Sequence, residues 1–246
     1  MRVHKANPPS GNPVVLSAPR AAQLFHFSKR VTCRLAGSHV ERDAIFKLRY
    51  RSYLRAGLKS QNSFGRFLER ADHAANTCLM GLYVDRKLVS SLRLQISSPT
   101  APGFSSLELF PDVLEPLRIG RKTVVDLSCV ATDGGFARQH SWLPYVVLRS
   151  WIIAAEHFHA DYISAAVRPQ HQLFFKRALD CELHAETQLL PHHLASVGLV
   201  TLNFANSAEH LYENLPFLRS TPSERRELFE PRTMPFEGAG LRPSAP

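Results

Sequence analysis

Apolar and polar positions change their period several times along this chain, and each change marks an element. Residues 31–36 (VTCRLA) read as a short first strand. From about 39 to 55 the period becomes helical, with Val40, Ala44, Ile45 and Leu48 on one stripe and Ser38 placed as the N-cap. A shorter amphipathic piece carries Phe64, Phe67, Leu68 and Ala71. TCLMGLYV (77–84) is a continuous apolar run, Asp85-Arg86 is a tight turn, and KLVSSLRLQI (87–96) returns, which predicts a hairpin. On the returning strand Leu88, Leu92, Leu94 and Ile96 share one face, and Ser91, Arg93 and Gln95 share the other.

Further on, SSPTAPGFSS (97–106) reads as a loop, 107–118 as a short helix around Pro111, and VVDLSCVAT (124–132) as a strand. ATDGGFARQH (131–140) is a loop with two glycines, and Ser141 is placed to cap a long helix over 142–158. DYISAAV (161–167) is a buried strand, Pro169 opens a helix carrying Leu173, Phe174 and Phe175, and residues 182–190 and 197–205 are the last two strands. The strand–helix–strand unit around 142–158 makes its two strands parallel neighbours, and the other connections favour antiparallel pairing. The expected fold class is α/β: a mixed, twisted, seven-stranded sheet with helices on both faces.

The stretch VVDLSCVAT holds the first hint of chemistry. Alternation puts Asp126 and Ser128 on one face with Val124, Val130 and Thr132. The opposite face, Val125, Leu127, Cys129 and Ala131, is wholly apolar. An acid and a hydroxyl side by side on a strand in the middle of the chain call for a partner or a function.

Charge is unevenly placed. Residues 1–60 hold twelve Lys or Arg against two acids, while the rest of the chain is close to neutral. Such a field attracts nucleic acid, an anionic membrane or an acidic protein. No recognition motif or aromatic stacking platform accompanies it, so nucleic acid is not expected. Residues 1–28, rich in Pro, Ser and Asn, are expected to be a disordered basic segment, 29–206 the folded domain, and 207–246 a C-terminal helix and tail. The four cysteines are widely spaced with no C-x-x-C, which suits a reducing cytoplasm and gives zinc little support. The pairs His157/His159 and His192/His193 lack an acid or Cys at metal spacing, so no metal is expected. No apolar run approaches the ~20 residues of a membrane-spanning helix, which leaves only a peripheral membrane contact open.

The element order, together with RYRSY (49–53), Asp72 in ERADHA, Arg93 in SLRLQ and VVDLSCVAT, resembles one branch of the Gcn5-related N-acetyltransferase superfamily. That branch holds the long-chain N-acyl amino acid synthases and the acyl-homoserine-lactone autoinducer synthases. The resemblance covers roughly residues 40–180, and LFPDVLEPL (109–117) favours the N-acyl amino acid synthase side. It implies an acyl-CoA N-acyltransferase (GNAT-like) fold. The implied activity moves a fatty acyl group from an acyl carrier protein or CoA thioester to the amine of an amino acid or related small molecule. No tightly bound cofactor is implied. The alternatives are an autoinducer synthase using S-adenosylmethionine, and an inactive protein of the same fold that binds an acyl carrier protein.

The resemblance also implies roles. Arg49, Tyr53, Asp72 and Arg93 fall on substrate-binding positions, with Arg93 suited to clamping an acceptor carboxylate or to pairing with Asp72 or Asp126. Asp126 orients the ammonium and takes its proton, or holds the sheet through Arg93, and Ser128 lies beside it. Where the family carries Arg, this chain has Cys129, expected to pack behind the sheet and so not to act as a nucleophile with His140. Val130, Arg138 and Ser141 are placed for the phosphopantetheine arm and its phosphate, in a splay between the parallel strands and at the start of the next helix. Lys47, Arg51, Arg55 and Lys59 recur every four residues, which makes one face of the 39–55 helix the expected docking site for an acidic acyl carrier protein.

Overall fold

The computed structural model describes residues 18–189 and 195–230. Its sheet is seven-stranded, in the order β1-β2-β3-β4-β5-β7-β6. The strands are β1 (Val31–Leu35), β2 (Thr77–Val84), β3 (Lys87–Ser97), β4 (Val124–Thr132), β5 (Tyr162–Val167), β6 (Glu182–Leu189) and β7 (Ser196–Asn203). β4 and β5 run parallel, and every other neighbouring pair is antiparallel. The crossover between β4 and β5 dictates this, because a single helix laid over a sheet returns the chain in the same direction. In the β2–β3 turn Asp85 and Arg86 both have positive φ, 48° and 65°. That backbone twist matches the right-handed twist of the flanking strands.

Helix α1 (Ala18–Lys29) corrects the first expectation, because residues 18–28 are helical rather than disordered. Leu24 and Phe27, three apart, are buried together, and this contact with the core is what a Pro- and Ser-rich reading of composition misses. Residues 1–17 lie outside the described residues. Helix α2 (His39–Arg55) begins as expected: Ser38 Oγ accepts from Glu41 N, and Glu41 reaches back to Ser38 N, a capping box. Its buried stripe is Ile45, Phe46, Leu48, Arg49 and Tyr53, while Val40 is 79% exposed and outside it. Residues 64–69 are not helical, since Gly65 turns the chain at φ 58°, and only Arg70–His73 form a 3-10 turn. Pro111 divides the next helix into α3 (Ser105–Leu109) and α4 (Pro111–Ile119). The expected loop 131–140 contains a short helix, α5 (Gly134–Gln139).

The two faces of the sheet differ in chemistry. One face is apolar: Leu92, Leu94, Val125, Leu127, Ile163 and Val200 pack against α6 (Leu143–His157) and its neighbours α7 (Pro169–Leu179) and α8 (Phe204–Asn214). Trp151 of α6 is fully buried there and donates its indole N–H to the Val125 carbonyl at 2.9 Å. Helix α9 (Pro222–Phe229) is clasped to α6 by Arg149–Glu224 and by Arg225–Glu156, so the C-terminal segment through residue 230 is structured. Residues 231–246 lie outside the described ones. The opposite face carries a small apolar patch under α3 and α4 (Phe104, Phe110 and Leu114 on Val124, Val197 and Leu199), and a second under α2. Between those patches the face is polar.

Candidate active site

The polar ground lies on β3 and β4. Gln95 is opposed to Asp126, and Arg93 to Ser128. Arg93 is 1% exposed. Its Nε donates to Ser128 Oγ at 3.0 Å, Nη1 to Asp72 at 3.2 Å, and Nη2 to Ser105 Oγ and Glu69 at 2.9 Å each. Arg49, from α2, adds a second guanidinium and donates from Nη1 to the same Asp72 oxygen at 2.8 Å. The other Asp72 oxygen accepts from Glu69 N at 2.7 Å. Two arginines and two acids thus neutralise one another where the unpaired charges would be expensive. Arg49 Nε and Nη2 are buried with no acceptor among the described residues. Tyr53 packs on Phe67 and points its hydroxyl at the Val130 carbonyl, 3.4 Å away.

Asp126 sits one row further along the sheet, fully buried. Ser164 of β5 donates to its Oδ1 at 2.7 Å, and Ser106 N, at the start of α3, reaches Oδ2 at 3.4 Å. Burial pushes its carboxyl up to about 6, against the pull of those serine bonds and of Arg93. Asp126 and Arg93 are therefore neighbours held by different partners, rather than a direct pair.

β4 and β5 pair from Val124/Tyr162 to Leu127/Ala165 and then part, although β4 continues to Thr132 and β5 to Val167. The expected splay is present. It opens just past Asp126, and its β4 wall is Ser128, Cys129 and Val130.

Cys129 does not pack behind the sheet. A bulge opposite Ser91–Arg93 puts two β4 residues against Leu92, and Cys129 takes φ 51°. The extra residue breaks the alternation and swings the thiol towards the ion cluster, 3.5 Å from Glu69 Oε2. Burial pushes the thiol up to about 11, against Arg49 and Arg93, so it stays protonated near neutrality and is a poor nucleophile. His140 is elsewhere, its ring 4.0 Å from that of Phe136 and stacked on Phe27 at 5.3 Å.

The arm-binding expectations shift as well. The helix that follows β4 is α5, and Asp133 caps it by accepting from Phe136 N at 2.9 Å. At α5, therefore, a carboxylate already occupies the helix N-terminus. α6 is preceded by Trp142 as N-cap, so Ser141 does not cap it, and both Ser141 and Arg138 are exposed. In the basic row, Lys47 pairs with Asp43 at 2.7 Å. Lys59 lies beyond the end of α2 and sits 4.4 Å over the Phe67 ring. Arg55 crosses to α5, where a Cβ on Gly134 would come within 1.8 Å of its guanidinium. His157 stacks on Phe229, and His192 and His193 lie outside the described residues.

Sequence reasoning missed Glu69, Ser105, Ser106 and Ser164. Glu69 and the serines of α3 come from segments read as a helix edge and a loop, with no pattern to single them out. Ser164, a lone hydroxyl inside the apolar run YISAAV, was a usable signal.

A mixed seven-stranded sheet whose parallel pair parts beside a buried acid is the frame of the acyl-CoA N-acyltransferase fold. The model of the N-acyl amino acid synthase FeeM family matches residues 44–203, so the chain belongs to that family and is an acyltransferase. Among solved structures it is similar to FeeM, an N-acyl amino acid synthase from uncultured soil microbes. Identity there is 17%, over 71% of this chain and 90% of that one, with a TM-score of 0.61. TofI, solved in a ternary complex with an inhibitor and MTA, is 16% identical over 79% and 98% of the two chains, with a TM-score of 0.57. MesI, a CoA-dependent acyl-homoserine lactone synthase, is 16% identical over 78% and 97%, with a TM-score of 0.51. At these identities the likeness is one of fold. A search of curated proteins finds no match.

Proposed function

We propose that this N-acyltransferase moves a long-chain fatty acyl group from an acyl carrier protein or CoA thioester to the amine of an amino acid or related small molecule. The observation that carries the reading is the opening of β4 from β5 directly beside Asp126, within the segment the FeeM family model matches. The thioester arm lies in the splay along Ser128–Val130, and no tightly held cofactor is required. Asp126 takes a proton from the incoming ammonium, and its raised value suits a base that is ionised near neutrality. Ser128 lines the opening beside it. Arg93 has its donors engaged by Ser128, Asp72, Ser105 and Glu69, which favours a positioning role. The unshared edge of Arg49 is better suited to an acceptor's carboxylate, because Nε and Nη2 form a parallel fork. An acyl carrier protein would meet the basic residues around Arg51 and Arg55.

Mass spectrometry of lipid extracts from a host expressing the chain, beside an Asp126→Ala variant, tests the reading. New N-acylated amines that vanish in the variant are expected. Acyl lactones in place of acyl amino acids would assign an autoinducer synthase instead. Identical extracts with and without well-folded protein would overturn catalysis and leave a carrier-protein-binding role.

A further inference from the structure

Making an amide from an ammonium and a thioester forms one C–N bond, breaks one C–S bond and strips two protons from nitrogen. The departing thiolate takes one proton. The other must reach solvent in every turnover. If Asp126 receives it, as proposed above, the bound substrates fill the opening beside that acid while the proton is transferred, and the rest of its surroundings are closed. Its side chain is 0% exposed, and its oxygens meet Ser164 and the first turn of α3.

A line of polar groups leads away from it across the sheet. Asp126 is opposed to Ser164 on β5, and Ser164 to Thr201 on β7. Ser164 Oγ lies 2.7 Å from Asp126 Oδ1. Thr201 Oγ1 lies 2.9 Å from His184 Nε2 on β6. Directly opposed residues on antiparallel strands hold their Cβ atoms about 5 Å apart, so the Ser164 and Thr201 side chains are neighbours on one face of the sheet. Ser164 and Thr201 are buried, and each hydroxyl is bonded, one to Asp126 and the other to His184. At the end of the line His184 helps line an open groove of about 560 Å³ with Glu108, Phe110, Asp112 and Gln188.

We propose that Ser164, Thr201 and His184 relay the surplus proton from Asp126 to this groove. Protonated Asp126 passes its proton to Ser164 Oγ. The serine proton moves to Thr201 Oγ1, the threonine proton to His184 Nε2, and the imidazolium releases a proton to groove water. The hydroxyls then rotate back, and no group is oxidised or reduced. Arg93 of β3 stabilises ionised Asp126, which favours loss of the proton at that end.

The relay rests on the assignment of Asp126, and the test separates the two. With palmitoyl-CoA as donor and a mixture of amino acids as acceptors, Thr201→Val is expected to lower kcat about tenfold or more with KM little changed, and to raise the solvent deuterium isotope effect. His184→Ala is expected to do the same and to recover activity with added imidazole, because the groove is open. Imidazole should not restore Thr201→Val, whose break lies inside the wall. Rescue by imidazole also distinguishes proton transfer from a folding defect. If both variants keep the wild-type kcat and isotope effect while Asp126→Asn is inactive, the relay is wrong and the role of Asp126 stands. If Asp126→Asn works at the wild-type rate, the role of Asp126 fails and the relay fails with it.

Discussion

Asp126 is the residue on which most of the proposed chemistry turns, and its burial has a consequence for stability. Its carboxyl moves from 3.8 to about 6 on folding, because burial disfavours the charge more than Ser106, Ser164 and Arg93 favour it. The folded state thus holds the proton more tightly than the unfolded chain. The stabilisation that goes with the proton is complete below pH ~4 and is lost as pH rises through about 6. It amounts to about 3 kcal/mol at one decade per 1.36 kcal/mol. An Asp126→Asn variant has no such proton, so the stability of the natural protein relative to it should fall by about that much between pH 4 and 7. Urea denaturation at several pH values measures the difference. Parallel pH curves for the two proteins would mean that the acid is not perturbed by its site.

At the scale of elements, the β4 bulge decides what the cleft wall presents. Cys129 adopts a left-handed backbone at φ 51°, which a small residue tolerates and a β-branched one resists. Cys129→Val is expected to destabilise the fold by about 1–3 kcal/mol, while Cys129→Gly, free of the Cβ penalty, should stay close to the natural stability. Equal loss in both variants, read by thermal unfolding, would mean that thiol packing rather than backbone geometry holds the bulge. The same element shows why Cys129 resisted reading from sequence. Strict alternation assigns it to the apolar face, and one extra residue in the ladder reverses that assignment without any glycine or proline to announce it. Arg93 and Gln95 were legible, because three polar residues at period two in an apolar strand leave few alternatives. The 56–69 segment was not legible, since its short apolar repeat mimics a helix until Gly65 turns the chain.

For the whole molecule, the division of charge matters more than its total. The excess of bases lies in residues 1–60, and the structure carries Arg55 to the start of α5, next to the strand that opens into the cleft. If an acidic carrier protein docks there, reversing Arg51 and Arg55 to Glu should weaken its binding about tenfold or more at low salt, with the difference shrinking as salt screens exposed charge. Calorimetry or anisotropy at two ionic strengths tests this, and unchanged affinity at low salt would rule out the placement. Among the described residues no helix is long and apolar enough to cross a membrane.

The sequence alone determined the seven strands, the parallel pair, the β2–β3 turn and the polar face shared by Asp126 and Ser128. These follow from local rules: the period of apolar residues, the handedness of a crossover and the alternation of a strand. It also marked Arg49, Asp72 and Arg93 as a set. Only the tertiary structure decided which of them touch. It placed Arg93 on Asp72 and Glu69, gave Asp126 to Ser164 and Ser106, and swung Cys129 towards the ions. Those choices depend on register between strands far apart in sequence and on a loop and a short helix laid across them. Burial then makes each pairing decisive, because a charge or hydroxyl inside the sheet must find a partner among whatever the fold brings near.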